Sequence, residues 1–449
     1  MDKEFYREIV NVAIKVSDPE KILPLHIRRD NNCLYIDSRR ICLENGKIYV
    51  VGAGKASGKM ALAIERILGN LIEKGVIAIP YYMSDLYKLE KIQLVEAGHP
   101  IPNEGSIKAA EKILDIAGKA GENDVLISLI SGGGSALMEK PIQPITLDDL
   151  KITNKLLLES GADIREINIV RKHLSEIKGG RLAVKAGKAK YIVSLMISDV
   201  PGDNPEYIAS GPTVPDSSTY IDAKNVLERY DLWDKVPESV RIVIEKGIRG
   251  EIEETPKHDH PVFRKTINKI IASNYTVLRK LSEYFRDKGY TPYILTTRLE
   301  GESSEVGKVL ASIAMDISDR DLLGQKPLVL LLGGEPNVSL KGQRYGKGGR
   351  CQELVLSFLA TTRGRRDLSI IAFDTDGVDG FSDAAGAYGD YEVWENMSKN
   401  RDSPWSYLRE HNSYEFFRKY NGLIITGPTG TNVNIVVAVI IHGSKSSGQ

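Results

Sequence analysis

The sequence predicts an α/β protein of two domains, the first built on a doubly wound parallel sheet. Three observations carry the prediction. Short apolar runs alternate with amphipathic helical stretches through both halves of the chain. The apolar runs are continuous, as strands covered on both faces are. Five of them stop abruptly at a glycine-rich polar turn: VVGAGKASGK from Val50, LISLISGGGSALM from Leu126, SLMISDVPGD from Ser194, LLLGGEPNV from Leu330 and IIAFDTDGVDG from Ile370. In an open α/β sheet, ligands collect beyond the carboxyl ends of the strands, where bare backbone amides and helix N-termini face solvent. Lysine, serine, aspartates, a glutamate and an arginine at such ends point to an enzyme that binds a phosphorylated ligand and its metal.

The elements follow in order. MDKEFYREIVNVAIKV reads as an amphipathic helix and lacks the basic start and long apolar stretch of a signal peptide. KIYVV runs into a glycine turn and then KMALAIERIL, whose Met60, Ile64, Ile67 and Leu68 share one helical face. VIAIP and IQLVEA are strands, SIKAAEKILDIAG a helix and DVLISLI a fully apolar strand. Two capped helices come next. The first starts at Thr146-Leu147-Asp148-Asp149 and ends near Gly161; the second starts at Asp163-Ile164-Arg165-Glu166 and stops at Gly179-Gly180. YIVSLMIS returns to the sheet.

Residues 235–260 are charged, carry or adjoin Pro237, Pro256 and Pro261, and show no clear apolar period. A boundary is expected there, giving a Rossmann-like domain over 1–240 and a smaller α/β domain over 241–449. The second half restarts the alternation with INKIIAS, the helix YTVLRKLSEYFRDKG, YTPYILTT, the helix SEVGKVLASIAMDI, PLVLLLGG, CQELVLSFLATT, LSIIAFD, LIITG and NIVVAVII. The tail HGSKSSGQ has nothing apolar to bury and is expected to be disordered.

Sixty basic and sixty acidic residues give a formal net charge of zero, without the basic excess of a nucleic-acid binder. The RGRR cluster at Arg363 to Arg366 reads as the cap of a surface loop. Cys33, Cys42 and Cys351 show no CxxC spacing, so neither a disulfide framework nor a zinc site is expected, and a reducing cytoplasm fits. No run reaches the eighteen or so apolar residues of a membrane span.

Each motif has competing readings. As a dinucleotide fingerprint, Val51 to Met60 supplies Gly52 and Gly54, but its third glycine, Gly58, is one position late. The acid expected about twenty residues on would be Glu73, at the end of a helix. As a Walker-type loop it has Ala53 for the first glycine and Met60 where a hydroxyl is needed. The third reading is a turn delivering Lys55 into a cleft, against a lysine merely exposed. Ser131-Gly132-Gly133-Gly134-Ser135 can cradle phosphate oxygens through consecutive amides, or be only a tight strand–helix turn. Leu137 stands where a serine-hydrolase elbow needs glycine.

In SDVPGDNPEYIASGPTVPD, Asp199 could hold Mg²⁺ or accept a hydroxyl proton, or cap a plain turn. Gly333 and Glu335 with KGGRCQE offer a carboxylate and Arg350, whose fork suits carboxylate or phosphate. The turn holding Asp374, Asp376, Asp379 and Asp383 is no EF-hand, because the twelfth position from Asp374 is Ala385. His99 and His173 are the histidines that could join a site; His258 and His260 sit in the boundary region.

Taken together, VGAGKAS, GHPIPNEGS, SGGGSALM, VRKHLSEIKGGRLA, SDVPGD with IASGPTVPD, GGEPNV, GGRCQE, DTDGVDG and GPTGTNVN resemble, in order and over nearly the whole chain, the glycerate 2-kinase family, whose C-terminal unit is the MOFRL domain (here about 326–441). The resemblance implies ATP-dependent phosphorylation of D-glycerate at its 2-hydroxyl, with Mg²⁺, in a cleft between two α/β domains. It also implies essential roles for Lys55 and Arg350. Cys351 stands in place of a usual asparagine, Asn337 of a threonine, and Ile435 of an acid that commonly follows GTNVN.

On this reading Lys55 and Arg350 neutralise the moving phosphoryl group and Asp199 receives the proton or holds metal. Ser131 to Ser135, Gly333 and Glu335 bind nucleotide phosphates. Lys178 and Arg181 meet the glycerate carboxylate, and Asp199, Asp376 and Asp379 take Mg²⁺. The expected partner is the small-molecule substrate, with neither nucleic acid nor membrane, and a homodimer is the assembly to test. Two other readings stay open: an NAD(P)H-dependent hydroxypyruvate reductase, suggested by the GxG turn, and a non-catalytic metabolite sensor.

Overall fold

In a computed structural model describing residues 3–340 and 345–443, the chain forms two compact units. Pro19–Ser198 and Asp203–Ile271 make one; Met1–Asp18, Asp199–Gly202 and Ala272–Gln449 make the other. All but the first two residues of the tail HGSKSSGQ lie outside the described residues.

The first unit opens with a small antiparallel sheet of β1 (Ile27–Asp30), β2 (Cys33–Ile36) and β3 (Arg39–Cys42). Its register sets Cys33 directly opposite Cys42, Cα atoms 4.0 Å apart, and a disulfide joins them. This corrects the expectation of no disulfide. Pairing register, which cysteine spacing does not reveal, decides it, and cysteine usage ceases to argue for a reducing compartment. Among the described residues no helix is long and apolar enough to cross a membrane.

The main sheet holds β4 (Ile48–Ala53), β5 (Ile72–Pro80), β6 (Ile92–Ala97), β7 (Val125–Ile130), β8 (Tyr191–Ile197) and β9 (Thr266–Ala272), in the spatial order β6-β5-β4-β7-β8-β9. Strands β4 to β8 run parallel to their neighbours. The chain winds outward from β4 to β6, then returns to β7 and winds the other way. The winding therefore reverses between β4 and β7, the point where doubly wound sheets open a crevice.

The capping boxes Thr146/Asp149 and Asp163/Glu166 start helices Leu147–Glu159 and Ile164–His173 as the sequence predicts. The second helix ends at His173, well before Gly179. Residues 174–176 instead lie along 140–142, with the Ile142 amide on Leu174 O (2.9 Å) and the Glu176 amide on Lys140 O (2.7 Å).

The proline-rich stretch is no linker. Helix Glu238–Ile248 buries Val240, Val243 and Ile244 against Tyr220, Val226 and Leu227. That i, i+3, i+4 stripe is hidden in the sequence by charges on either side. The break between units falls at Ile271/Ala272 instead of near residue 240.

The second unit's sheet has β10 (Thr291–Leu299), β11 (Leu328–Gly334), β12 (Leu368–Asp374), β13 (Gly386–Gly389), β14 (Leu423–Ile424) and β15 (Ile435–Ile441), in the order β10-β11-β15-β12-β13-β14. Only β10 and β11 pair in parallel; β15 lies antiparallel between β11 and β12. Ile435, at the family's acidic position, opens β15 and is fully buried between Gly334 and Asp374. The N-terminal helix Lys3–Ser17 belongs to this unit. Tyr6 stacks on Tyr388 at 4.2 Å and its hydroxyl donates to Asp390 (3.2 Å), while Glu8 accepts from Tyr284 (2.7 Å) and Lys288 (2.8 Å).

Candidate active site

In the first unit the two glycine loops leave β4 and β7 side by side at the reversal point and are stitched together. Ser131 N donates to Ala53 O (3.1 Å), Lys55 N to Gly132 O (2.9 Å) and Ala56 N to Ser131 Oγ (3.0 Å). Ser57 Oγ donates to Leu129 O (3.0 Å), so Ser131 must supply the hydrogen of the 3.1 Å Ser57–Ser131 hydroxyl contact. Such approach needs glycine: a Cβ on Gly54 would stand 2.0 Å from Ser131 Oγ.

Consequently Ser131 is a staple and not a phosphate ligand, since its hydroxyl is buried and saturated inside the fold. The Gly134 amide is likewise spent on Ser131 O (3.2 Å). What remains at the strand ends is Gly132, Gly133 and Ser135. Gly133 turns through φ +80°, and a Cβ there would lie 2.7 Å from the His99 ring and 3.6 Å from Lys55 Cγ. Lys55, His99 and Gly133 therefore share one place.

Neither Lys178 nor Arg181 joins them, which corrects the carboxylate assignment. Lys178 is fully buried and paired with the equally buried Glu139. Burial lowers the pKa of its ammonium, against the pull of Glu139. Arg181 opens the short helix Arg181–Lys185 and donates to Tyr220 Oη and Glu253 O, both at 3.1 Å. It lines a cavity of about 570 Å³ with Lys140, Lys185 and five acids, Glu111, Asp115, Glu176, Glu253 and Glu254, a net negative lining that disfavours a carboxylate substrate. His173 is also interior, bonded to Glu254 at 2.9 Å. Glu73 sits at the start of β5, paired with Lys47 (2.9 Å), at the opposite end of the strand from where a dinucleotide ribose acid belongs.

In the second unit Arg350 is the first residue of helix Arg350–Thr362. Its guanidinium spans two carboxylates, Nη1 on Glu335 (3.0 Å) and Nη2 on Asp374 (2.6 Å). Burial works against the Arg350 charge, but Asp374 and Glu335 outweigh it and raise its pKa. Burial and the Asp376 carboxylate push Asp374 up to about 7, against Arg350. The guanidinium is thus held rigidly between one exposed and one buried acid.

Asp379 is not available to metal. Its carboxylate, fully buried, accepts from Cys351 N (3.0 Å), Gln352 N (2.9 Å) and Gln352 Nε2 (2.9 Å), closing the start of the Arg350 helix. Gly333 is no phosphate ligand either. It lies inside β11, where a Cβ would collide with Asn274, whose amide ties Val433 O (3.0 Å) and Ile435 O (2.8 Å). Asp376 is half-buried in its turn, its carboxylate accepting from Val378 N (3.0 Å) and its carbonyl from Thr429 N (3.2 Å) in the GPTGTNVN loop.

Asp199 contacts the same loop. Its carboxylate accepts from Asn432 Nδ2 (3.4 Å) and its carbonyl from Asn434 Nδ2. Reading residues singly missed Asn432 and Asn434; the available signal was an asparagine-rich turn, with Asn434 at φ +65°. Among the described residues no cluster of three His, Cys, Asp or Glu is arranged as a metal cage.

Residues 5–245 match a family described as a domain of unknown function, DUF4147, and residues 328–435 match the MOFRL family. A glycerate 2-kinase of Pyrococcus horikoshii is 46% identical over 99% of this chain and 98% of its own length. A D-glycerate 2-kinase of Thermotoga maritima is 39% identical over 88% of this chain and 91% of its own. Relatives in Agrobacterium vitis, one 42% identical over 88% of this chain and 87% of its own, carry the provisional name hydroxypyruvate reductase. The crystal structure of a Thermotoga maritima glycerate kinase superposes with a TM-score of 0.84 at 36% identity, covering 98% of this chain and 100% of that one.

Fold and relatives together define an α/β kinase. The chain belongs to the glycerate kinase family.

Proposed function

We propose that this protein transfers the γ-phosphoryl group of ATP to the 2-hydroxyl of D-glycerate, giving 2-phosphoglycerate and ADP. The observation that carries the reading is the pair of prepared cations. Lys55 rises from a glycine loop at the crevice of a doubly wound sheet, and Arg350 is fixed by two carboxylates at the head of a helix. Phosphoryl transfer asks a protein mainly for positioning and charge neutralisation. The reading requires both residues to act on one phosphoryl group, one from each unit.

In the proposed reaction the substrate's hydroxyl oxygen bonds to phosphorus as the bond from phosphorus to the ADP oxygen breaks, and the hydroxyl proton goes to Asp199 or, where Asp199 holds the metal, to solvent. Gly132 and Gly133 meet phosphate oxygens with their amides. Asp199 and Asp376 fit Mg²⁺, which favours one or two carboxylates plus substrate phosphates over an all-protein cage. Bound there, the ion would neutralise phosphate charge. We keep a homodimer in the proposal; light scattering giving the mass of a single chain would remove it.

The test is purified protein with ATP, Mg²⁺ and D-glycerate, reading ADP release and direct consumption of the product by enolase, which accepts the 2-phosphate isomer. Oxidation of NADH or NADPH with hydroxypyruvate, without ATP turnover, would overturn the kinase reading for the reductase. Ligand binding with neither activity would overturn it for a sensor.

A further inference from the structure

A chain of three side chains beside the Lys55 loop has its hydrogen-bond direction fixed from one end. Asn168, in helix Ile164–His173, places Nδ2 2.9 Å from the carbonyl oxygen of Ile164. A carbonyl can only accept, so the amide nitrogen must face Ile164 and Oδ1 must face the other way. There it meets Ser210 Oγ at 2.7 Å. Because Oδ1 can only accept, the single hydroxyl hydrogen of Ser210 is committed to Asn168. Ser210 Oγ lies 2.8 Å from Ser135 Oγ, and having no hydrogen left, it accepts from Ser135. The hydrogen of Ser135 therefore points inward, and only its lone pairs remain for a ligand.

The chain is held by a strained stretch of backbone. Ala209 (φ +49°), Ser210 (φ +60°) and Gly211 (φ +61°) are three consecutive left-handed residues, two of them with side chains. They are pinned by the Gly179 amide on Ser210 O (3.0 Å) and the Gly180 amide on Gly211 O (2.7 Å). Asn168 and Ser210 are almost wholly buried, whereas Ser135 is half-buried at the mouth of the glycine loop. Backbone strain persists where surrounding structure enforces it, and such sites cluster at ligand clamps.

We propose that Ser135 is a specificity-determining acceptor: its hydroxyl takes a hydrogen bond from a hydroxyl of the phosphoryl acceptor and does not donate to a phosphate oxygen. A phosphate oxygen needs a donor, and the Ser135 hydroxyl has none to give. Asn168 and Ser210 are positioning residues that act through it. A phosphate role for Ser135 is thereby left to its backbone amide alone. This inference rests on the kinase reading of the same site.

The experiment compares wild type with Ser135→Ala and Ser210→Ala, each checked for native circular dichroism. Steady-state constants for ATP and D-glycerate are measured with inhibition constants for D-lactate, which lacks the 3-hydroxyl, and 3-hydroxypropanoate, which lacks the 2-hydroxyl. Losing one hydrogen bond to a substrate hydroxyl weakens binding about tenfold. Ser135→Ala should raise the D-glycerate KM about tenfold and leave the ATP KM unchanged. It should leave unchanged the binding of whichever analogue lacks the bonded hydroxyl. Ser210→Ala should shift the D-glycerate KM in the same direction by less, because Ser135 keeps its lone pairs but loses its orientation.

A raised ATP KM with unchanged D-glycerate KM in Ser135→Ala would overturn the inference, as would equal weakening of D-glycerate and both analogues, or no change at all. A wild-type protein inert toward ATP and D-glycerate would instead overturn the kinase reading itself.

Discussion

Replacing Arg350 tests the charge arrangement most directly, because two separable jobs fall to it. One, proposed above, is to act on the phosphoryl group; the other is to bond Asp374, which lies 2.6 Å away and is almost completely buried. Asp374 is already pushed up to about 7 with the guanidinium beside it, so in Arg350→Ala it takes a proton at neutral pH, and the cost is that of the lost charge-assisted bond, about 1.5–3 kcal/mol. For a unit of this size about 1 kcal/mol corresponds to 2–4 °C, so Arg350→Ala should lower its melting temperature by about 6 °C. Loss of a cation acting in the transition state should lower kcat by about 10³-fold, or about 4 kcal/mol.

The double variant Arg350→Ala/Asp374→Asn separates the jobs. With a neutral amide in place of an acid that must take up a proton, most of the melting temperature should return while kcat stays down. Arg350→Lys should rescue poorly, because one ammonium cannot span Glu335 at 3.0 Å and Asp374 at 2.6 Å as the fork does. The assays are ATP-to-ADP turnover with D-glycerate and differential scanning calorimetry. Recovery of kcat in the double variant would refute the transition-state role, as would a near-normal kcat with only KM raised in Arg350→Ala.

Asp379→Ala should lower thermal stability by about 1–2 kcal/mol as a lost helix cap, with the Mg²⁺ requirement unchanged, whereas Asp376→Asn should shift the Mg²⁺ titration without changing the melting temperature; the opposite pattern would restore Asp379 as the metal ligand. Burial disfavours the Glu254 charge, but hydrogen bonds from His173 and the Tyr220 amide pull its pKa down to about 2. Its folded value thus lies below the unfolded one near 4.5, so its stabilisation is complete above about pH 4.5 and is lost as pH falls toward 2. Glu254→Gln should flatten acid unfolding across that window; an unchanged acid limb would contradict the assignment. Under non-reducing conditions, peptide mass spectrometry should find Cys33 joined to Cys42, with Cys351 a buried free thiol.

Much of the architecture was legible in the sequence. Continuous apolar runs such as DVLISLI become fully buried parallel strands because both faces are covered, and burial on both faces leaves no room for polar alternation. Thr146 and Asp163 began helices where local capping chemistry says they must, because a cap depends on residues three apart and on little else. Lys55 and Arg350 stood out for a similar reason: a charged residue in a glycine turn after a strand is a local pattern.

What only the tertiary structure decided was the use of each polar group once neighbours from distant sequence arrived. Ser131 and Ser135 flank the same three glycines, yet one is consumed by Ser57 and Ala56 and the other is aimed by Ser210 and Asn168. Asp376 and Asp379 share one turn, yet only Asp379 meets the head of a helix. Lys178 looked like a substrate cation until Glu139 closed over it, and Cys33 looked like a free thiol until strand register set Cys42 opposite. Patterns within a few residues fix strands, caps and turns, because those energies are local. A hydroxyl or carboxylate has few bonds to give, and which partner takes them is settled by packing across the whole unit.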